Sequence, residues 1–277
     1  MTNRSKSSGV SIGLKVAWFS PSKEQNLDKN NKQGNFIVKI ANTLEEREAV
    51  FRLGYQEYLK KGFINENPNE WLIRNYDVAP ETATLIVKDK QNHLVGSVTL
   101  VFDFDASLPA EKIFKSEINV LRQNNEKIVE LSRLVIDPQY RNSKEVLVLL
   151  FNYIYIYSYL VKKYTSLIIE VNPRHTVFYK ELLHFNKIGL EKACPSVQNA
   201  PAALMYLSLQ KSRMDLIKLQ NNRLKLKSNR SLYQYFIRIN QENLVVNYLK
   251  NQVKPMSQDE KVYFGYSDTS LDRALCV

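Results

Sequence analysis

Apolar and polar positions alternate at 36–41 (FIVKIA), 82–88 (TATLIVK) and 93–102 (HLVGSVTLVF), and each stretch predicts a strand. The tetrad DKQN at 89–92 joins the last two as a hairpin. Helical periodicity fills 44–61, with Leu44, Val50, Phe51, Tyr55, Tyr58 and Leu59 on the core face. Asn42-Thr43 ahead of Glu45-Glu46 marks its start and Gly62 its end. Residues 63–78 form an irregular connection that holds Trp71 and Asp77. An insertion at 103–127 contains a helix opening at Leu108-Pro109, with Ile113, Phe114, Ile118 and Leu121 on one stripe. The run IVELSRLVI at 128–136 is a buried strand, broken by Asp137-Pro138. A strongly apolar helix follows at 143–164, then a strand at 167–171 and a helix at 175–183. A strand or turn is expected at 185–189, and a closing strand at 202–209.

Past residue 210 the pattern changes to helices with basic faces at 214–227, 231–239 and 241–252. Leu232, Tyr233, Tyr235, Phe236 and Ile239 are too apolar for a solvated tail and are expected to bury against the preceding domain. Residues 1–34 are polar and read as a loosely ordered arm, with a short strand at 16–19. The expected organisation is therefore an arm (1–34), an α/β domain (35–210) and a helical extension packed on it (211–277).

The strand at 128–136 carries the chemistry. Side chains alternate along a strand, so Glu130 and Ser132 are expected on one face and Arg133 on the other. A carboxylate and a hydroxyl inside a buried sheet need partners or a function. Composition narrows the field. The chain has 277 residues and a formal net charge of +11, which suits an acidic partner. The basic residues are scattered and no basic, aromatic-interleaved motif stands out, which argues against nucleic acid. Two distant cysteines and three isolated histidines give neither a disulfide framework nor metal spacing, so no metal is expected and a reducing cytoplasm is. No apolar run approaches the ~18 residues of a membrane span, and the N-terminus lacks the apolar core of a signal peptide.

Several segments in order carry a resemblance. They are Glu130-Leu131-Ser132-Arg133, then Val135-Ile136-Asp137-Pro138-Gln139-Tyr140-Arg141, then Asn172-Pro173-Arg174-His175 with Phe178-Tyr179, and finally Leu232–Phe236 with Pro255-Met256-Ser257. Together with Tyr76-Asp77 they resemble the bacterial N-acyl amino acid synthases of the FeeM type, relatives of the acyl-homoserine-lactone autoinducer synthases. The resemblance implies a GNAT-like α/β acyltransferase fold over about 36–209, a central mixed sheet flanked by helices. It also implies transfer of a fatty acyl chain from a phosphopantetheine thioester to the amino group of an amino acid or small amine. Three positions depart from the pattern: 141–145 has no glycine, Gly54 stands where an arginine is expected, and Thr99 replaces the arginine of the autoinducer synthases.

The resemblance makes Glu130 the acceptor of the amine proton, Ser132 a substrate or carbonyl contact and Tyr179 the proton donor to the leaving thiolate. The competing readings are a structural ion pair for Glu130, an ordinary sheet serine for Ser132 and plain packing for Tyr179. Asp77, Arg133, Arg52 and Trp71 are candidate acceptor-binding residues, although Asp77 equally suits a turn before Pro80 and Arg133 a sheet-to-helix tie. Arg141, Lys144, Asn172 and Arg174 are candidate donor contacts, while His175 reads as a helix cap. The glycine-free loop and the positive charge favour acyl carrier protein over acyl-CoA as co-substrate. The insertion and the helix at 146–160 are expected to wall an acyl tunnel. Two alternatives stand beside this reading: a catalytically silent acyl- or protein-binding domain, and a lactone-signal synthase using S-adenosylmethionine.

Overall fold

The computed structural model describes residues 35–104, 107–221, 230–252 and 254–266. The expected arm at 1–34 and its strand at 16–19 lie outside the described residues. Seven strands are present: β1 (Phe36–Ile40), β2 (Ala83–Asp89), β3 (Leu94–Phe102), β4 (Ile128–Ile136), β5 (Ser166–Val171), β6 (Asn186–Cys194) and β7 (Ala200–Ser208). They form one sheet in the order β1-β2-β3-β4-β5-β7-β6. Each neighbouring pair is antiparallel except β4–β5. The helices are α1 (Leu44–Lys60), α2 (Glu111–Gln123), α3 (Lys144–Tyr155), α4 (Thr176–Leu183), α5 (Leu209–Asn221), α6 (Glu242–Lys250) and α7 (Gln258–Tyr263).

Local chemistry sets the boundaries. The Thr43 hydroxyl accepts the Glu46 N–H at 3.3 Å, and the Glu46 carboxylate accepts the Asn42 N–H at 3.1 Å, so two free donors at the start of α1 are satisfied. Gly62, at φ +68°, ends the segment. In the β2–β3 hairpin Asp89 Oδ1 accepts from Gln91 N and His93 N, both at 2.9 Å. β6 is longer than the expected stretch at 185–189; it is an edge strand with mostly exposed side chains, and its apolar alternation is correspondingly weak.

The sheet divides the core. Val129, Leu131 and Leu167 pack with α3, alongside Leu150 and Ile154. Ile128 and Ile168 pack on the opposite side with Phe114 and Ile118 of α2. Val50 and Phe51 of α1 pack over Ile86 with Phe264. The insertion helix and α3 thus lie on opposite faces, and the expectation that they wall one tunnel is corrected: the sheet stands between them. α3 continues into a π-helical turn, Ile156–Val161. The combined helix Lys144–Val161 has 18 residues and is apolar enough to cross a membrane, which corrects the expectation that no run reaches that length; half of it is buried in the core.

The C-terminal segment joins the α3 cluster through Leu232, Tyr233, Phe236, Val245 and Leu249. Tyr233 Oη bonds Leu183 O and Ser212 Oγ, both at 3.0 Å, and Arg213 pairs with Glu242 at 2.5 Å. The helix expected at 231–239 is instead a 3-10 turn, Leu232–Tyr235, leading into a second at Ile239–Gln241. The reason is where its backbone finds partners. Ile237 N donates to Asn152 Oδ1, Ile237 O accepts from Gln220 Nε2, and Ile239 N donates to Gln220 Oε1. Side chains of α3 and α5 satisfy these groups, so no helical ladder is required. α5 begins at Leu209, directly after β7, rather than at 214; the expected continuation to 227 runs into residues outside those described.

Candidate active site at the fork of two parallel strands

β4 and β5 pair over four residues only, from Ile128↔Ser166 to Leu131↔Ile169. β4 continues to Ile136 along β3, and β5 continues to Val171 along β7. The two parallel strands therefore part at their carboxyl ends, where open α/β sheets take their ligands.

Glu130 sits just before the fork, 3% exposed. Its Oε2 accepts the Ala110 N–H at 2.9 Å, at the start of α2. Burial pushes the carboxyl up to about 8; the Ala110 hydrogen bond works against this rise, and the charges of Glu170 and Glu111 add to it. The alternative of a Glu130–Arg133 ion pair does not occur, because Arg133 pairs with Asp77. Next on the same face, Ser132 Oγ donates to Tyr76 Oη at 2.9 Å. Burial raises the Tyr76 phenol well above its usual range, which keeps it protonated.

Arg133 departs from simple alternation. Thr99 of β3 is opposite Ser132, whereas Ser97 is opposite Val135, so β4 has one extra residue in a bulge. Arg133 adopts φ +48°, in the left-handed region. The bulge turns Arg133 onto the same face as Ser132 and Thr99, which corrects the expectation of opposite faces. Its Nη1 donates to Leu72 O at 2.9 Å and Asp77 Oδ2 at 2.8 Å; Nη2 donates to Asp77 Oδ1 at 2.5 Å and Thr99 Oγ1 at 3.0 Å. The guanidinium lies 5.3 Å from the Phe51 ring centre and 6.0 Å from that of Tyr76. Left-handed backbone at a non-glycine residue costs ~1–3 kcal/mol, and this web of contacts holds it there. Asp77 also accepts the Arg74 N–H at 2.7 Å, so both its oxygens are engaged within the protein rather than offered to an acceptor.

The two unexpected residues, Gly54 and Thr99, have the same explanation. Thr99 is one of the Arg133 acceptors. A Cβ on Gly54 would stand 3.0 Å from Arg133 Cδ, so the glycine leaves room for the arginine stem. In a free helix, Gly→Ala stabilises by about 1 kcal/mol. Here Arg133 is held at its far end, and Gly54→Ala is expected to lower stability instead, measured by urea unfolding; a gain of the usual size would mean the stem moves freely.

Arg52 and Trp71 are brought to each other rather than to Glu130. The Arg52 guanidinium lies 5.7 Å from the Trp71 ring centre and pairs with Glu48 at 2.8 Å. Trp71 packs on Tyr263 and Phe264, at 5.4 and 5.1 Å between ring centres. These two candidates tie α1 to the C-terminal segment.

The donor candidates lie beyond the strand ends. Arg141 follows β4 and pairs with Glu57 of α1; Arg174 follows β5 and is exposed. Lys61, which the sequence reading missed, completes the group: desolvation lowers its pKa, Glu57 opposes this, and the neighbouring Arg141 and Arg174 lower it further. His175, beside Arg174 and Lys61, is held below its usual range by desolvation and by those two charges. It makes no side-chain cap bond to α4, contrary to the cap expected of it. Asn172 accepts the Arg174 N–H at 3.3 Å and shapes this turn. Lys144 lies over the Tyr235 ring at 3.4 Å, held by the C-terminal segment. Ser143 caps α3 by accepting the Val146 N–H at 3.3 Å.

Tyr179 is buried among Phe151, Phe178 and Phe185, on the α3 side of the sheet. Burial raises its pKa, so its hydroxyl stays protonated; the second influence on it is Tyr58 of α1. Tyr58 is raised by burial and feels Arg133, Arg74, Glu170 and Cys194. Tyr58 of α1 is thus near enough to Tyr179 of α4 to influence it electrostatically. Among the described residues no cluster of three or more His, Cys, Asp or Glu could hold a metal ion.

The family model described as N-acyl amino acid synthase FeeM matches residues 49–208. The structure of FeeM itself, from uncultured soil microbes, matches with a TM-score of 0.56 at 25% identity, covering 65% of this chain and 93% of that one. BjaI, a CoA-dependent acyl-homoserine lactone synthase, matches with a TM-score of 0.51 at 15% identity, covering 65% of this chain and 87% of that one, a likeness of fold. No curated protein sequence matches the chain.

Proposed function

Because the chain belongs to the family of FeeM-type N-acyl amino acid synthases, we propose that it moves a fatty acyl chain from acyl carrier protein to the amino group of an amino acid or similar small amine. Acyltransferase activity and the mixed α/β fold come with the family and its solved member. The donor, the acceptor and the residue roles are our reading. One observation carries it: a buried carboxyl raised to about 8, with no cation paired to it, stands at the fork of two parallel strands. The ionised form of such a group takes a proton from an ammonium and gives it up again, and with a pKa of about 8 that form grows in as pH rises toward and past 8. The neutral amine then attacks the thioester carbonyl beside the Ser132–Tyr76 hydroxyl pair. Tyr179, protonated on the other side of the fork, gives the leaving thiolate its proton.

Two features favour carrier protein as donor. The first turn of α3 already has its Val146 N–H taken by Ser143, and no glycine at 141–145 lets backbone approach a pyrophosphate. Lys61, Arg141 and Arg174 gather where a pantetheine arm would enter, and the net charge of +11 suits an acidic carrier. A cytoplasmic setting belongs to the same reading.

BjaI is CoA-dependent, so the test sets the two donors against each other with matched acyl chains. Steady-state kcat/KM is expected to be higher with acyl carrier protein and to fall as salt rises. Lys61→Glu and Arg174→Glu are each expected to lower it about tenfold, or ~1.4 kcal/mol, through KM. Equal or better kcat/KM with acyl-CoA overturns the donor assignment. Mass spectrometry of lipids from an expressing bacterial host identifies the acceptor; a product lacking an amide-linked amino acid or amine overturns the acceptor.

A further inference from the structure

β5 brings a second carboxyl to the fork. Ile168 is the register partner of Glu130, and side chains alternate, so Glu170 projects on the same face as Glu130. Ile128 and Ile168, packed together under α2, identify that face. Neighbouring strands and a two-residue step place the Cα atoms of Glu130 and Glu170 about 8 Å apart, close enough for their side chains to converge on one small group. Past Ile169, β5 has left β4, while Glu170 stays anchored opposite Leu204 of β7. The space between the carboxyls is thus at the opening of the fork.

The charged and titratable groups around the pair are few. Glu111 of α2 faces Glu130 and is held by Arg122 at 2.5 Å. Cys194 of β6 faces Glu170, and Tyr58 of α1 feels both Glu170 and Cys194. Burial raises the Glu170 carboxyl against a hydrogen bond from the Cys194 thiol, and burial together with Glu170 pushes that thiol up to about 11. The nearby arginines are engaged elsewhere, Arg133 by Asp77 and Arg122 by Asp103 and Glu111. Among the described residues neither Glu130 nor Glu170 forms an ion pair with a Lys or Arg.

We propose that Glu130 and Glu170 form one acceptor site, which holds the substrate ammonium between two carboxyls and takes one proton from it. This rests on the acyltransferase reading above. Two carboxyls in low dielectric without a protein cation become stable by sharing a proton or by receiving a cationic ligand. An ammonium substrate meets both conditions in turn. It enters as a cation, gives one of its three protons to the pair, and stays hydrogen-bonded as the neutral amine. Its nitrogen forms the C–N bond as the C–S bond breaks. A second proton leaves with the thiolate as free thiol, the third remains on the amide, and the proton on the pair passes to solvent.

Glu170→Gln, with Glu170→Asp as the conservative control, separates this from a structural role. In Glu170→Gln the KM for amine is expected to rise about tenfold with the KM for acyl donor unchanged. Loss of the neighbouring negative charge lowers the Glu130 pKa, so the acidic limb of kcat/KM moves to lower pH by about one unit. Glu170→Asp is expected to restore most of both. A readout free of turnover uses 13C-labelled glutamate carboxyls in the intact chain, with Glu130 identified by difference from Glu130→Gln. Adding amine without acyl donor is expected to depress the Glu130 midpoint in wild type and much less in Glu170→Gln. An unmoved midpoint and an unchanged amine KM overturn the shared site while leaving acyl transfer intact. Absence of any amide product from wild type would instead overturn the parent reading, and the amine titration would still decide whether the two carboxyls act together.

Discussion

Glu130→Gln is expected to lose ~10²–10⁴ of the turnover and yet to resist urea better than wild type at pH 8. The first half follows from removing the proton acceptor while keeping its shape. Glutamine still presents an oxygen to the Ala110 N–H, which Glu130 accepts at 2.9 Å. The second half follows from linkage. Folding lifts the Glu130 pKa from 4.5 to about 8. Between those two values the folded chain keeps a proton that the unfolded chain has released, so stability falls as pH rises through that window. Below 4.5 the penalty is absent, and above about 8 it is complete. Glutamine never pays it. The stability gap between mutant and wild type is expected to open from near zero at pH 4.5 to roughly 2–4 kcal/mol at pH 8. Urea unfolding at several pH values, beside turnover, checks both halves. A mutant of normal activity removes Glu130 from the chemistry. A gap indifferent to pH removes the buried, proton-holding carboxyl.

Asp77→Ala has the opposite character: it is expected to cost ~3–5 kcal/mol, because it leaves a buried guanidinium without its partner. The Arg133 and Asp77 side chains are 2% and 1% exposed. Arg133 is held well above its usual pKa: desolvation lowers it, but the charge and hydrogen bonds of Asp77 together with the Tyr76 and Tyr58 phenols outweigh that, so it does not escape by losing a proton. Freed of Asp77, the left-handed backbone at Arg133 loses what holds it, and the bulge beside Ser132 relaxes. Activity is expected to fall with stability. Replacing both residues with apolar ones of similar size should cost less than either single change, since no uncompensated charge remains. A loss under 1 kcal/mol for Asp77→Ala would show that the pair contributes little.

Much of this was legible locally. FIVKIA, TATLIVK and IVELSRLVI read as strands, the first at an edge of the sheet and the others inside it, because each is pleated with at least one face on a core. β6 was harder to read because an edge strand exposes most of its residues. The bulge at Arg133 left no trace, since nothing in ELSRL requires an arginine at φ +48°; the conformation is held by Asp77, 56 residues away. The aromatic run at 232–236 reads as helix because its pattern shows burial but not that Asn152 and Gln220 supply its backbone partners. Lys61 was hidden as one more lysine at a helix end. Glu170 did leave a signal, a lone carboxylate in SLIIEV at the parity of Ile168, and only the β4–β5 register shows what it faces.

The placement of the sheet also bears on which substitutions act independently. Tyr76, Ser132 and Glu130 stand on the α2 side, whereas Tyr179 and its phenylalanines stand on the α3 side. The sheet stands between the two groups, so a substitution on one side has no shared neighbours to disturb on the other, and its effects are expected to add to those across the sheet. Under the proposed acyl-transfer reading, substitutions on the α2 side are expected to change which amine is accepted without disturbing the packing around Tyr179 on the α3 side.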